Sequence, residues 1–430
     1  MRRMLVLTAA LLLLAPAAAA AQTAAVTRTR LPNGLTLLVR ENHEAPVIAY
    51  SLMVRMGTRT ETPATAGISN LLQLMLIRGT EKMDGEQIAE AADRMGGSID
   101  AYGDADYSEI AATALSRNWQ EMLELVGDVA LRPTLPEGTV QAVRDFIVRQ
   151  IRNRGDKPFD VATDTMRAAL FGTNPYAWDP LGRRESVEKL DRAALLAYYR
   201  RYYVPGQMVL SVAGDVKTAE VTAQVQRIFG AVPAGKAELP PAPAPPAMAA
   251  TRQDLIVPGA QAQILMGALA PAFTDPDHPS LKVLTAVLGG GMASRFFSEL
   301  RDQQALAYTT LAQYPSRIDT TSFVAILGTA PENVAKAAPA LVEQLERIRT
   351  RQASADEVAV ARAYVLGSQA MDRRTNARQA WYLSFFEIAG VGYEFLDRYA
   401  AAVKAVTPAD VQRVAQKYLS TLRTVIVQPK

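Results

Sequence analysis

Apolar and polar positions alternate along this chain with two different periods, and the switches between them mark out its elements. Leu31-Pro32-Asn33-Gly34 is a turn signal that feeds the strand-like run LTLLVREN, and VIAYSLMVRMG is a second, more continuously apolar strand. A helical period takes over in GISNLLQLMLIRGT, after which Gly96-Gly97 introduces the short alternating run SIDAY, another strand. From residue 232 to 250 the chain reads VPAGKAELPPAPAPPAMAA, a tract that can neither continue a helix nor join a central strand. Beyond it the same order returns. AQILMGAL reads as a strand, PSLKVLTAVLGGGMASRFFSELRD as two helices separated by Gly289-Gly290-Gly291, and LAYTTLAQY as the next strand.

Two longer segments make the repetition explicit. LDRAALLAYYRRYYVPGQMVLSV (Leu190 to Val212) lies over VTPADVQRVAQKYLSTLRTVIVQ (Val406 to Gln428), pairing Tyr202 with Tyr418 and Val209-Leu210 with Val425-Ile426 at one constant offset. Glu109 to Ile151 matches Phe323 to Gln369, each reading strand, turn at Asn118 or Asn333, amphipathic helix, break and long helix. The pattern predicts an α+β fold of two homologous domains, each an antiparallel sheet with helices packed on one face. The expected divisions are 1–21 as a targeting segment, 22–231 as the first domain, 232–250 as the Pro/Ala linker and 251–430 as the second domain. A chain of 430 residues with 49% apolar content has material for two such cores.

The N-terminus changes the picture of where the protein works. Met1-Arg2-Arg3-Met4 precedes an apolar core from Leu5 to Leu14 and an alanine tract with A-x-A sites up to Ala21, which predicts a cleavable secretory signal peptide and a periplasmic protein. No later stretch holds a long uninterrupted apolar run of membrane-spanning length, so no membrane span is expected after signal removal. Loss of Arg2 and Arg3 would take the formal charge from +3 to +1, which speaks against nucleic acid as a partner. The densest basic stretch, Arg144, Arg149, Arg152, Arg154 and Lys157, is interrupted by Asp145 and Asp156 and reads as a solvated helix face.

With no Cys and two His, the chain cannot build a thiol nucleophile, a disulfide, a Cys-rich zinc site or a three-histidine metal centre from its own residues. No G-x-S-x-G elbow supports a serine hydrolase. His43, in a loop after the first strand, and His278, before Pro279 at a helix start, read as surface or capping residues.

The order of short motifs carries a resemblance. G-I-S-x-L-L-x-x-M-L-x-x-G-T, G-G-S-x-x-A, N-P-Y, A-Y-Y-R-R-Y-Y-V-P-G-x-M-x-L-S-V-A-G-D-V, then the linker and L-G-G-G-M-x-S-R-F-F-x-E-L-R-x-x-x-A-L-A-Y, together resemble the pitrilysin/insulinase family of zinc peptidases in its short two-domain branch, over nearly the whole of the chain after Ala21. That family carries H-x-x-E-H on a helix, two imidazoles one turn apart for Zn²⁺ beside a Glu that deprotonates the bound water, with a further Glu downstream as the last ligand. The matching positions here are Asn70, Gln73, Leu74 and, within a residue or two, Gln150. Leu74 has no donor atom, Asn70 offers a neutral amide, Gln73 has no basicity near neutrality, and Gln150 removes the remaining charge. The resemblance therefore implies that this chain binds no metal, with zinc expected in a partner.

The second half differs. The resemblance places Arg301 and Tyr308, in ELRDQQALAY, at the positions where the family presents an Arg to a substrate carbonyl and a Tyr hydroxyl to the developing oxyanion. It also places Gly97, Ser98, Ile99, Asp100 and Ala101 on the strand along which an extended substrate adds, although a plain sheet edge fits SIDAY equally well. The chain thus resembles a subunit that has lost the metal half of an active site and kept the oxyanion half. The implied partner is a sister subunit with an intact H-x-x-E-H, and the implied substrate is a peptide or an unfolded protein segment. The alternative is a catalytically inert structural or peptide-holding protein of the same fold. Asp100, Asp104 and Asp106 lack the glycine turn and terminal Glu of a calcium loop and read as a solvated turn, and Gly289 to Gly291 read as a hinge where helices pass close to something.

Overall fold

The computed structural model describes residues 25–241 and 243–430. The expected signal segment, 1–21, lies outside the described residues. The first half forms a six-stranded sheet from β1 (Val26–Arg30), β2 (Thr36–Glu41), β3 (Val47–Val54), β4 (Ser98–Gly103), β5 (Ser108–Leu115) and β6 (Met208–Gly214), in the order β1-β2-β6-β3-β5-β4. The second half forms a five-stranded sheet from β7 (Thr251–Val257), β8 (Ala262–Ala270), β9 (Thr309–Gln313), β10 (Thr321–Thr329) and β11 (Arg423–Pro429), in the order β7-β11-β8-β10-β9. With β1 set aside, the two orders superpose strand for strand. The duplication read from the sequence is therefore a duplication of topology.

The sheets are not wholly antiparallel. Each contains one parallel pair, β2 with β6 and β7 with β11, because the last strand of each half returns from a run of helices and inserts between the first two strands. It meets β3 or β8 antiparallel and so must run parallel to the opening strand.

Nor do helices cover one face alone. Helix Pro158–Phe171, from the first half, packs on β8 and β11, while helix Asn376–Ile388, from the second, packs on β3 and β6. The halves thus exchange one helix each. Met166, Leu170 and Phe171 sit with Leu265, Ile326 and Val425 in one shared cluster, and Leu383, Phe385 and Phe386 sit with Leu38, Met53 and Val209 in the other. Each such phenylalanine contributes about 2 to 3 kcal/mol by leaving water. The strands they cover are buried on both faces, as all seven residues of β6 are, and a strand of that kind is apolar at consecutive positions.

The linker has no regular secondary structure among its described residues from Pro233 onward. It is held along the first half by side-chain amides: Asn33 donates to the Val232 carbonyl at 3.1 Å, Gln207 to Ala237 at 2.5 Å and Asn174 to Pro243 at 2.5 Å.

A polar latch joins the β4–β5 turn to the β9–β10 loop. Arg317 pairs with Asp104 and lies 3.7 Å from Asp106, the Tyr176 hydroxyl donates to Asp106, and Arg59 pairs with Asp319. Asp106 is 2% exposed, so the solvated turn expected from the sequence is wrong at this residue. Burial pushes its pKa up to about 6, outweighing Arg317 and the Tyr176 hydroxyl, which pull it down. A carboxyl with a raised folded pKa stabilises the fold when protonated. Its contribution is complete below about pH 4, the unfolded value, and is lost as the pH rises through about 6. Between those limits the wild type should lose on the order of 2 to 3 kcal/mol relative to Asp106→Asn, which has no such slope. Urea unfolding of both proteins at pH 4 and pH 7 measures the difference, and parallel pH profiles would contradict it.

Candidate functional site

Helix Ile68–Leu76 carries Asn70, Gln73 and Leu74. Its N-cap is Gly67, at φ 96°, which supplies no capping side chain. The cap comes instead from Glu61, whose carboxylate accepts from the Gly67 N–H at 2.9 Å, the Ser69 N–H at 3.0 Å and the Trp178 indole N–H at 3.0 Å. Sequence reasoning missed Glu61; an acidic residue shortly ahead of a helix with glycine at its cap was the available signal. A Cβ on Gly67 would stand 2.7 Å from the Leu181 carbonyl oxygen, so both the dihedral and the space require glycine there.

Gln73 is fully buried and is occupied on both sides of its amide by Tyr203: its Nε2 donates to the Tyr203 hydroxyl at 2.8 Å, and that hydroxyl lies 3.1 Å from its Oε1. Leu74 packs at the margin of the first core, and Asn70 is buried with Nδ2, a donor, left unpaired. Gln150 is half-buried on helix Glu137–Gly155, which packs against the Asn70 helix. Asn70, Gln73 and Leu74 therefore share one helix, and Gln150 lies on a second that packs against it. They do not fit zinc: one has no heteroatom, one has its amide engaged by Tyr203, and the orphan atom of the third is an N–H rather than a lone pair. Among the described residues no three His, Cys, Asp or Glu come together to hold a metal.

Strand β4 carries Ser98, Ile99, Asp100 and Ala101 and is the outer strand of its sheet. Ile99 and Ala101 face the core while Ser98 and Asp100 face out. Gly97 leads into it, and a Cβ there would fall 1.7 Å from the Thr113 carbonyl oxygen. The far end of β4 rests on the motif helix, where a Cβ on Gly103 would stand 3.3 Å from the Asn70 Cα. The structure thus brings the edge strand and the Asn70 helix together.

Arg301 and Tyr308 stand on the other sheet. Arg301 lies in the helical turns Phe296–Gln303, with its guanidinium 4.8 Å from the Phe297 ring centroid. Ala305, at φ 52°, reverses the chain, and the Tyr308 N–H donates to the Gly328 carbonyl at 2.9 Å at the start of β9. The Tyr308 side chain is 60% exposed. Neither polar head is hydrogen-bonded or ion-paired among the described residues, whereas the neighbouring Arg295 is buried against Glu357 at 2.6 Å. Burial would raise the Glu357 pKa, but hydrogen bonds from Arg295 and Ser354 hold it down to about 2. Arg295 and Glu299, which bonds Gln344 at 2.9 Å and pairs with Arg347, fasten this segment to the helices behind it. Arg301 and Tyr308 are left to face outward.

Of the two histidines, His43 is exposed, as expected, and bonds Asp215 at 2.7 Å, which raises its pKa. His278 is not a surface residue. It is 2% exposed at the start of helix His278–Gly289, enclosed by Tyr314 and Tyr399, because that helix turns this face inward. The triple glycine does mark a close approach: a Cβ on Gly289 would stand 2.2 Å from the Ala312 amide nitrogen of β9.

Comparison with known proteins bears on the family and the fold. The family model described as insulinase (peptidase family M16) matches residues 36–181, and that described as the peptidase M16 inactive domain matches residues 189–365. An uncharacterized zinc protease of Streptomyces coelicolor is 28% identical over 400 residues, covering 92% of this chain and 87% of its own. One of Mycobacterium leprae is 31% identical over 295 residues, 67% of this chain and 65% of its own. Among solved structures, a peptidase M16 inactive domain from Pseudomonas fluorescens superposes with a TM-score of 0.87 at 21% identity, covering 94% of this chain and 98% of that one. A protease from Helicobacter pylori superposes at 0.88 and 20% identity, covering 95% and 100%. Two family matches that together take in both halves, on a doubled fold shared with the solved structures, identify the chain as a member of the pitrilysin/insulinase family, peptidase family M16.

Proposed function

We propose that this chain is the non-metal-binding subunit of a heterodimeric periplasmic zinc peptidase, in which a sister subunit with H-x-x-E-H holds the metal. The observation that supports it is an asymmetry. The motif helix offers no charged ligand and its Gln73 is committed to Tyr203, while Arg301, stacked on the Phe297 ring, and Tyr308 extend from the other sheet with no side-chain hydrogen bond or ion pair among the described residues.

In the composite site Arg301 hydrogen-bonds a substrate carbonyl and the Tyr308 hydroxyl donates to the oxygen that gains negative charge as the carbonyl is attacked. Both donors strengthen as charge develops, so they favour the transition state over the bound peptide. Strand β4 supplies the second contribution: its outer N–H and C=O groups can pair with an extended peptide, with specificity left to side chains rather than backbone. The substrate class is accordingly a peptide or an unfolded protein segment.

The reading is tested by purifying the protein from its own periplasm under native conditions. It should copurify with a second chain of similar length bearing H-x-x-E-H, with one zinc per pair. Isolation as a homomer with no such partner would favour the inert, structural member of the fold.

A further inference from the structure

Helix His278–Gly289 is the second-half counterpart of the motif helix, and one face of it lines a cavity of about 370 Å³ that the function above does not use. His278, Lys282, Thr285, Ala286 and Gly289 fall on that face at helical spacing, and β9 and the segment after it, helix Ala355–Asp372 and helix Asn376–Ile388 close the other sides. The walls are largely aromatic, including Tyr314, Tyr382, Phe386 and Tyr399. The size lies within the range of small-molecule sites, and the polar groups are few and convergent, as such sites require.

Lys282 is the unusual member. Its Nζ donates to the Tyr314 carbonyl at 2.6 Å and lies 5.2 Å from the Tyr314 ring centroid. An ammonium has three donors, so two have no protein acceptor among the described residues, and no carboxylate there pairs with it. The carboxylate at the cap of this helix, Asp277, is already taken by Arg413 at 2.6 Å, Lys417 at 2.8 Å and the Tyr418 hydroxyl at 2.9 Å. Burial alone lowers the Lys282 pKa, to about 8, and the residue lines the cavity. His278 beside it is buried, bonds Ser316 through Nε2 at 3.2 Å and leaves Nδ1 without a partner. A cation with no counter-ion and an orphan imidazole nitrogen on one apolar cavity are costly to the fold unless something completes them.

We infer that this cavity binds a small organic carboxylate with an aromatic or branched apolar body, its carboxylate paired with Lys282 and its body against the tyrosine and phenylalanine walls. The site is separate from the proposed peptide surface and does not depend on it.

Titration of the full chain with 3-phenylpropionate and with its neutral amide, 3-phenylpropanamide, by calorimetry at pH 7 tests the inference. The carboxylate should bind at least about tenfold more tightly than the amide, since one buried charge-assisted hydrogen bond separates them. Lys282→Met should remain folded, because it removes an uncompensated buried charge, and should lose that preference. Thr285→Phe, which fills the cavity at its rim and keeps Lys282, should abolish binding of both and decides the matter if the first variant fails to fold. Equal affinity for acid and amide, no binding of the acid up to about 10 mM, or binding undiminished in Thr285→Phe would overturn the assignment.

Discussion

In the complex proposed above, Arg301→Ala and Tyr308→Phe are each expected to lower kcat/KM about 100-fold, with assembly unchanged. The size follows from the roles proposed for the two groups: removal of a single oxyanion donor typically costs 10² to 10³ in rate, roughly 2.7 to 4 kcal/mol. Neither change should disturb the fold, since both side chains project into solvent without a bonding partner among the described residues, and exposed substitutions of that kind stay within about 0.5 kcal/mol. Arg301→Lys should recover part of the loss, because it restores the charge without the planar fork. Steady-state kinetics on the copurified complex, with size-exclusion chromatography to check assembly, measure all three. Unchanged kinetics in both variants would mean that the pair is merely retained and the chain is a scaffold.

Glu61→Ala destabilises the chain by about 3 to 5 kcal/mol, the second large effect. The substitution strands three buried donors at once, the N–H groups of Gly67 and Ser69 and the Trp178 indole, and an unpaired buried donor costs roughly 1 to 3 kcal/mol. The carboxyl is fully buried, and burial raises its pKa against those same hydrogen bonds. Glu61→Gln should therefore cost less, about 1 to 2 kcal/mol, because it removes the charge that burial penalises and keeps an acceptor oxygen. Urea unfolding of the two variants separates them. Equal losses would show that charge at the helix N-terminus, rather than acceptor count, holds the motif helix.

The fold was legible where its signal is local. Strands β2, β3 and β8, the motif helix and the Gly289 hinge follow from periodicity and glycine placement, and the duplication follows from two matched segments. The parallel pairs were not legible, because the position of β6 and β11 depends on where a strand returns after a run of helices, which no local pattern records. The exchanged helices were hidden for a related reason: amphipathicity in Pro158–Phe171 or Asn376–Ile388 says that a face is buried, not against which half. Asp106 read as part of a solvated turn and His278 as a surface or capping residue because their enclosing residues, Tyr176 and Arg317 for one and Tyr314 and Tyr399 for the other, lie far away in sequence. At the candidate site, Asn70, Gln73 and Leu74 and the Arg301–Tyr308 pair could be singled out from the sequence by position alone. The Arg295–Glu357 anchor emerged only from the packing, whereas Glu61, shortly ahead of a glycine-capped helix, left a sequence signal that was missed.

The division of labour between two subunits is tested most directly by peptide hydrolysis assayed with this chain alone, with its sister subunit alone, and with both, each in the presence and absence of a zinc chelator. Division of labour predicts no chelator-sensitive cleavage by this chain alone and a rise of at least an order of magnitude over the sister subunit on mixing, abolished by the chelator. Chelator-sensitive cleavage by the purified chain alone would contradict it.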